Sequence, residues 1–252
     1  MDMWGRNMLK KLYDKSKIWF AVALIIAYCV LMSAGDSISA AVGTEKSVTL
    51  AVGVLLSAAL LLFFRKHDLF EVYGLCSSRV PARSMLFYLP VLIMLTANFW
   101  YGVTVNYGAV ETVLYILSMF CVGFLEEVIF RGLLFNAMRK DSIGAAVIVS
   151  SVTFGIGHII NLINGSGAQL LPNLLQIIYA TAAGFMFVMI YLTTDSLIVC
   201  IVSHGLFNAV SVFVNESNVT MEMQVLTCAS LTVITGVYAA YLAWTLKGRK
   251  KD

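Results

Sequence analysis

The sequence predicts an all-α integral membrane protein, a bundle of eight transmembrane helices with both termini in the cytoplasm. Composition gives the first indication, because the 252 residues are 60% hydrophobic and only 12% charged. A soluble domain is typically about 45–50% apolar and about 25% charged. The second indication is the distribution of the apolar residues, which form runs of membrane-spanning length separated by short polar segments.

Eight apolar segments are long enough to cross a bilayer, which takes about 20 helical residues. They lie at about 18–34, 48–64, 85–103, 111–138, 142–160, 171–193, 196–214 and 224–246. Between the second and third, residues 68–75 mix charged and apolar side chains, so we expect them to lie along the membrane interface. No separate soluble domain and no internal repeat is visible, which predicts one membrane domain over residues 1–252.

Lysines and arginines predict the orientation, because they are enriched in cytoplasmic loops. Five precede the first segment, four separate the second from the third, two separate the fourth from the fifth, and four lie in the C-terminal tail, fifteen of 17 in all. Lys46 falls on the other side, and Arg131 lies inside a segment. The basic start and the apolar run to Met32 could alternatively be a signal peptide, with a cleavage region at residues 39–41.

Composition also argues against some functions. The net charge is +3 and the basic residues are dispersed, so no nucleic-acid partner is expected. The five cysteines have no CxxC spacing and lie mostly in apolar runs, which predicts neither a disulfide nor a cysteine metal site. They are Cys29, Cys76, Cys121, Cys200 and Cys228.

Three charged residues lie inside the fourth segment, where each costs about 2.5–3.5 kcal/mol unless it is paired or faces a cavity. Glu127 and Arg131 are four residues apart with the acid first, the favourable order for an ion pair on one helix face. We predict that this pair is structural. Glu126 is rotated by about 100° from Glu127 and has no partner in its own helix, which favours a functional role.

Two histidines lie in later segments: His158 follows Phe154 by four residues, and His204 precedes Asn208 by four. One buried histidine usually serves as a hydrogen-bonding group between helices. Together with Glu126, however, these groups suit peptide hydrolysis. Glu126 could take a proton from water, His158 could hold that water, and His204 and Asn208 could stabilise the developing oxyanion.

The same residues leave two kinds of water activation open. Two histidines and one glutamate can also bind zinc with a free fourth position, so Glu126, His158 and His204 are candidate metal ligands. Spacing does not distinguish a zinc-bound water from one activated directly by Glu126. The cofactor therefore stays undetermined at this point.

Other protease designs are not expected. The sequence has no His-Glu-x-x-His motif, which argues against a zincin helix. Ser166 lies in a glycine-rich stretch of an outer loop, and Asp36 and Asp195 lie at the ends of segments. Serine and aspartyl mechanisms are therefore not predicted.

Three motifs in this order resemble those of the CPBP family, the CAAX proteases and bacteriocin-processing enzymes also called the Abi family. They are Glu126-Glu127-x-x-x-Arg131, Phe154-x-x-x-His158 and His204-x-x-x-Asn208, within a resemblance that runs from about Val122 to Ala209. The resemblance implies an eight-helix intramembrane peptidase with its catalytic core at about 111–214. By motif position, Glu126 is the general base and Glu127 its companion. His158 binds the water, and His204 with Asn208 forms the oxyanion site.

The expected function is therefore a bacterial-type plasma-membrane endopeptidase that acts on a membrane-associated or lipidated peptide or protein. Members of the family are described as metalloproteases, although these residues fit a metal-free reaction equally well. One alternative is a non-hydrolytic bacteriocin-immunity or scaffold protein with the same fold. Another is a proton-coupled transporter, since intramembrane glutamate and histidine also build proton relays.

Overall fold

The computed structural model describes residues 3–164 and 168–249, and in these residues the chain is helical apart from turns and one isolated β-bridge between Val103 and Val214. Ser166 and the basic residues Lys250 and Lys251 lie outside the described part. The α-helices are α1 (Met3–Lys15), α2 (Lys17–Val42), α3 (Ser47–Lys66), α4 (Leu89–Leu95), α5 (Ala109–Glu126), α6 (Asn136–Met138), α7 (Ile143–Gly157), α8 (Leu170–Thr194), α9 (Ile198–Val210) and α10 (Met221–Arg249).

Seven helical stretches of the described chain are long and apolar enough to cross a membrane. They are Lys17–Val42, Ser47–Lys66, Ala82–Tyr101, Ala109–Met138, Ile143–Leu162, Leu170–Thr194 and Met221–Gly248. The remaining predicted segment, 196–214, forms only the shorter apolar helix Ile198–Phe213. The structure thus shows a multi-pass helical membrane protein, while the count of eight spans and the cytoplasmic termini stay predictions.

The start of the short helix α9 is hydrogen-bonded to the linker between α3 and α4. The Leu197 amide donates to the Gly74 carbonyl at 2.7 Å, and the Ser196 hydroxyl donates to the Cys76 carbonyl at 2.5 Å. Leu69 and Tyr73 of this linker are buried. One side of the segment predicted to lie along the interface therefore packs against the bundle, while Asp68, Glu71 and Val72 are exposed. Carbonyl groups of the linker accept the hydrogen bonds that a helix end inside a membrane needs.

The third predicted segment is not one regular helix. Leu86, Phe87 and Tyr88 have φ values of 50°, 50° and 56°, in the left-handed region that side-chain-bearing residues rarely adopt. Within this segment only α4 is regular α-helix, so the continuous helix predicted over 85–103 is not formed. The turn is anchored to α10, because the Tyr238 hydroxyl donates to the Met85 carbonyl at 2.6 Å.

Glycines let the central helices approach closely. A Cβ atom on Gly123 would lie 2.6 Å from the backbone nitrogen of Gly205, so α5 and α9 touch through their backbones. Gly155 gives a similar contact between α7 and α8, where a Cβ atom would lie 2.9 Å from the Ile177 carbonyl oxygen. Gly157, two positions further along, has open space beside it. These contacts bring the polar residues of α5, α7 and α9 together.

Candidate active site

The polar residues of the fourth segment lie where the α-helix changes type. Helix α5 ends at Glu126 and continues as a π-helix over Glu127–Phe135, all of which is buried. Short π-helical segments are rare and occur frequently at functional sites. The hydrophobic pattern predicted an unbroken α-helix here, because a π-turn has no simple periodicity in the sequence.

Glu127 is fully buried and accepts two hydrogen bonds at the same oxygen. Its Oε1 atom lies 3.0 Å from Arg131 Nη1 and 2.9 Å from His204 Nδ1. The carboxylate therefore joins the guanidinium of its own helix to the imidazole of α9. Because a carboxylate only accepts, Nδ1 of His204 carries a proton in this contact.

Arg131 is held by aromatic rings as well as by Glu127. Its Cζ atom lies 4.0 Å from the centroid of the Phe154 ring and 5.6 Å from that of Phe187. A guanidinium over an aromatic face is attracted by the ring quadrupole, and more strongly when water is excluded. Arg131 thus has a fixed position in the core, as a partner of Glu127.

Glu126 points the other way, and each of its oxygens has a neighbour. The Tyr28 hydroxyl of α2 donates to Oε1 at 2.7 Å, and Oε2 lies 3.4 Å from Nε2 of His204. His204 thus lies between the two adjacent carboxylates. Its contact with Glu126 requires one proton, carried either by the imidazole or by the carboxyl group.

His158 and Asn208 are placed on the same side as Glu126. Nδ1 of His158 lies 3.2 Å from the Phe154 carbonyl oxygen, which can only accept, so Nδ1 is the protonated nitrogen. In a neutral ring this leaves Nε2 as an acceptor. The edge-on ring of Phe154 lies 5.3 Å from the His158 ring and 5.6 Å from the His204 ring, which keeps the two imidazoles apart.

These residues surround an internal space. A cavity of about 340 Å³ is lined by Glu126, His158 and Asn208, together with Tyr28. A second pocket of about 40 Å³ is lined by His204 as well as by His158 and Asn208. Of the five predicted catalytic residues, four line these pockets: Glu126, His158, His204 and Asn208. The fifth, Glu127, is fully buried and lines neither pocket.

Tyr28 is a site residue that the sequence analysis missed. It is a single tyrosine in an apolar helix, about a hundred positions before its partner Glu126, and no motif marks it. The only sequence signal was general: a tyrosine buried in an apolar setting usually finds a hydrogen-bond partner for its hydroxyl.

The candidate zinc ligands do not form a metal site. In the part of the chain that the structure describes, no three His, Cys, Asp or Glu side chains lie close enough together to hold a metal ion. Both ring nitrogens of His204 contact carboxylates, and Nδ1 of His158 contacts a backbone carbonyl. The residues thus do not fit the three-ligand set of a catalytic zinc site.

Fold and site together define a class: a multi-pass helical membrane protein with a buried carboxylate–imidazole cluster beside an internal polar cavity. Residues 108–210 match the family model described as type II CAAX prenyl endopeptidase Rce1-like, so this part of the chain is similar to the CAAX proteases. The match confirms the resemblance predicted from the three motifs. No curated protein and no solved structure matches the chain.

The matched segment contains Glu126, Glu127, Arg131, His158, His204 and Asn208. The match implies a protease that acts on a peptide substrate in a membrane environment. Tyr28 lies outside the matched segment, so the family relationship assigns it no role.

Proposed function

We propose that the protein is an intramembrane endopeptidase that hydrolyses a peptide bond of a membrane-associated substrate with water activated by Glu126. One observation carries the proposal: the Glu126 carboxylate borders a polar cavity, held between the Tyr28 hydroxyl and the His204 imidazole. The family match to an endopeptidase favours hydrolysis over the immunity and transport alternatives. The distribution of basic residues predicts that both termini lie in the cytoplasm. The CPBP resemblance suggests a bacterial plasma membrane as the setting.

In the proposed first step, Glu126 removes a proton from a water molecule that also donates a hydrogen bond to Nε2 of His158. The resulting hydroxide forms a bond to the carbonyl carbon of the substrate, whose oxygen becomes negative. The Asn208 amide donates to this oxygen. Nε2–H of a protonated His204, released from its contact with Glu126 once that carboxyl group has taken the proton, is the second donor. Preorganised donors of this kind commonly stabilise such an intermediate by several kcal/mol.

In the second step, the carbon–nitrogen bond breaks and Glu126 returns its proton to the leaving nitrogen. The products are a carboxylic acid and an amine, and the ionised form of Glu126 is restored. Glu126 thus acts first as base and then as acid, in the manner of general acid–base catalysis.

Glu127 and Arg131 take no part in these proton transfers but determine where His204 lies. Glu127 accepts a hydrogen bond from Nδ1–H of His204 and so fixes the ring, while Arg131 balances the charge of Glu127. A carboxylate behind an imidazole is a common way to fix the tautomer and the orientation of a functional histidine.

The test compares purified Glu126→Gln and His158→Ala variants with the unaltered protein on a panel of peptides. We expect each variant to remain folded and turnover to fall about 10²- to 10⁴-fold for Glu126→Gln, the usual contribution of a general base. Glu111→Gln is the matched control, because Glu111 lies in the same helix, accepts a hydrogen bond from the Glu45 amide and does not itself line the cavity. Unchanged turnover of the folded Glu126→Gln variant would refute the proposal.

A further inference from the structure

The main cavity occupies only one half of the bundle. On α2 its lining begins at Tyr28 and continues to Asp36, toward the C-terminal end of the helix. On α5 it runs from Glu126 and Phe130 back to Tyr115, toward the N-terminal end. These helices run in opposite directions, so both descriptions refer to the same face of the protein. We call it the α2–α3 face, after the connection at residues 43–46.

The other helices agree with this placement. The lining residues of α9 and the turn after it begin at Phe207 and end at Ser211, near the C-terminal end of that helix. Gln176 and Tyr179 belong to the N-terminal half of α8. Lys46, in the α2–α3 connection itself, also lines the cavity, which therefore extends to the surface at the α2–α3 face.

The opposite face carries α1 and the end of α10, and we call it the terminus-bearing face. Between Glu126 and this face the space is filled by side chains. Leu133, Leu134 and Phe135 are buried there, as are Ile190 and Tyr191 of α8. Glu126 thus lies at the closed end of a cavity whose open end is the α2–α3 face.

The distribution of lysine and arginine indicates which side of the membrane the open end of the cavity faces. Fifteen of the 17 lysines and arginines belong to the terminus-bearing face by the predicted topology, and Lys46 is the one assigned to the loops of the α2–α3 face. Such a bias places the terminus-bearing face in the cytoplasm. The α2–α3 face is then extracytoplasmic.

The lining suits a peptide backbone. Amide and hydroxyl side chains of Asn98, Gln176, Asn208, Ser33 and Ser211 border the cavity. Such groups can donate to and accept from peptide bonds, and apolar side chains of the same lining, among them Met32, Met119 and Val122, can contact the side chains of a substrate. The volume of about 340 Å³ lies at the lower end of ligand-pocket sizes and fits a short extended segment.

We propose that the substrate enters from the extracytoplasmic side, and that it is an exported peptide or the exported part of a membrane protein cut within the outer half of the membrane. This inference rests on the proposed function, because it names the side and the class of substrate for the same site. It assigns the terminus-bearing face no role in substrate entry.

Two native cysteines allow a direct test. Cys29 is half-buried and lines the cavity beside Tyr28, while Cys76 is half-buried in the linker at the terminus-bearing face. Sealed right-side-out and inverted vesicles containing the full chain are treated with a small charged methanethiosulfonate that does not cross membranes. Labelling is compared among the unaltered protein, Cys29→Ser and Cys76→Ser, so that the other three cysteines contribute equally to every sample.

We expect Cys29 to be labelled at least tenfold faster from the outside of right-side-out vesicles, and Cys76 at least tenfold faster in inverted ones. Labelling of Cys29 from the cytoplasmic side, or of Cys76 from outside, would overturn the proposal. If Cys29 reacts from neither side, Ser33→Cys, one helical turn nearer the opening, is tested in the same way. Failure of this cysteine to react from outside would also overturn the proposal.

The labelling requires no catalysis, so its outcome is independent of the proposed function. Loss of the endopeptidase proposal would appear as unchanged turnover of Glu126→Gln, whatever the labelling pattern. Where turnover is measurable, peptide added outside right-side-out vesicles should be cleaved, and the same peptide added to inverted vesicles should not.

Discussion

Two adjacent carboxylates lie in opposite surroundings. The ion-pair side comprises Glu127, Arg131, Phe154 and Phe187, and Glu127 and Arg131 there are completely buried. The cavity side comprises Tyr28, Glu126, His158 and Asn208, which border an open polar space. His204 is the boundary, with one ring nitrogen toward each carboxylate. One residue along the helix thus separates a group that holds the structure from one that is available to react.

The largest effect on stability is expected on the ion-pair side. Arg131→Met leaves Glu127 buried without its ion-pair partner, and breaking a buried pair typically costs about 3–5 kcal/mol. We expect a loss of this size in the free energy of unfolding, measured in detergent micelles by denaturant titration. Arg139→Met, at the end of the same segment and half-buried, should change it by less than about 0.5 kcal/mol.

The double variant Arg131→Met/Glu127→Gln sharpens this comparison. It removes both charges, so part of the lost stability should return, while His204 loses its carboxylate partner and turnover stays low. If Arg131→Met were as stable as the unaltered protein, the ion-pair side would not have the structural role inferred for it.

The next largest effect is expected on the cavity side. Tyr28→Phe removes the hydroxyl that donates to Glu126, a hydrogen bond to a charged group worth about 1.5–3 kcal/mol. If Tyr28 positions the base, kcat should fall about tenfold or more in addition to this loss of stability, while KM changes little.

Tyr13→Phe is the matched control for Tyr28→Phe. Its hydroxyl contacts that of Tyr73 at 2.7 Å, away from the cavity, so its loss should lower stability slightly and leave kcat unchanged. A fall in stability without a fall in kcat for Tyr28→Phe would assign this tyrosine to the packing of α2 alone.

Part of the ion-pair side and part of the cavity side could be predicted from the sequence. The four-residue spacing of Glu127 and Arg131 predicted their pairing, and the rotation of Glu126 away from them predicted a separate environment. Motif order predicted that His158, His204 and Asn208 would belong with Glu126. All of these inferences used residues a few positions apart on one helix, or a pattern that a family preserves.

The remaining features depend on contacts between distant parts of the chain. Tyr28 reaches Glu126 across 98 positions, and nothing local marks that contact. The π-helix after Glu126 and the left-handed turn at residues 86–88 have no hydrophobic period of their own. Helix α9 begins later than its apolar run of 196–214 suggested, because Ser196 and Leu197 donate hydrogen bonds to the linker carbonyls of Cys76 and Gly74.

Helix contact provides a further test, because both sides depend on the distance between α5 and α9. Gly123→Ala places a methyl group against the Gly205 backbone, which cannot move as a flexible side chain does. Overpacking of this kind costs about 1–3 kcal/mol. It should also displace His204 from Glu127 and lower turnover. Melting temperature and kcat measure the two effects.

Gly236→Ala, in α10, is the control for Gly123→Ala, because the added methyl group would meet no atom within 4 Å. Alanine is the better helix former, so stability should stay the same or rise slightly. Equal behaviour of the two alanine variants would show that the α5–α9 contact does not determine the geometry of the site.

The smallest effect is expected from metal removal. On the cavity side, the nitrogens of His204 face two carboxylates and Nδ1 of His158 faces a carbonyl, so Glu126 and the two imidazoles do not form a ligand set. Protein purified without added zinc should contain well under one metal ion per chain, and dialysis against a chelator should leave kcat within about twofold, a barrier change near 0.4 kcal/mol. Stoichiometric zinc, or activity that chelation abolishes and zinc restores, would contradict this expectation. Such a result would mean that the imidazoles turn away from their present partners when the protein works, so that the separation between the two sides is a resting arrangement.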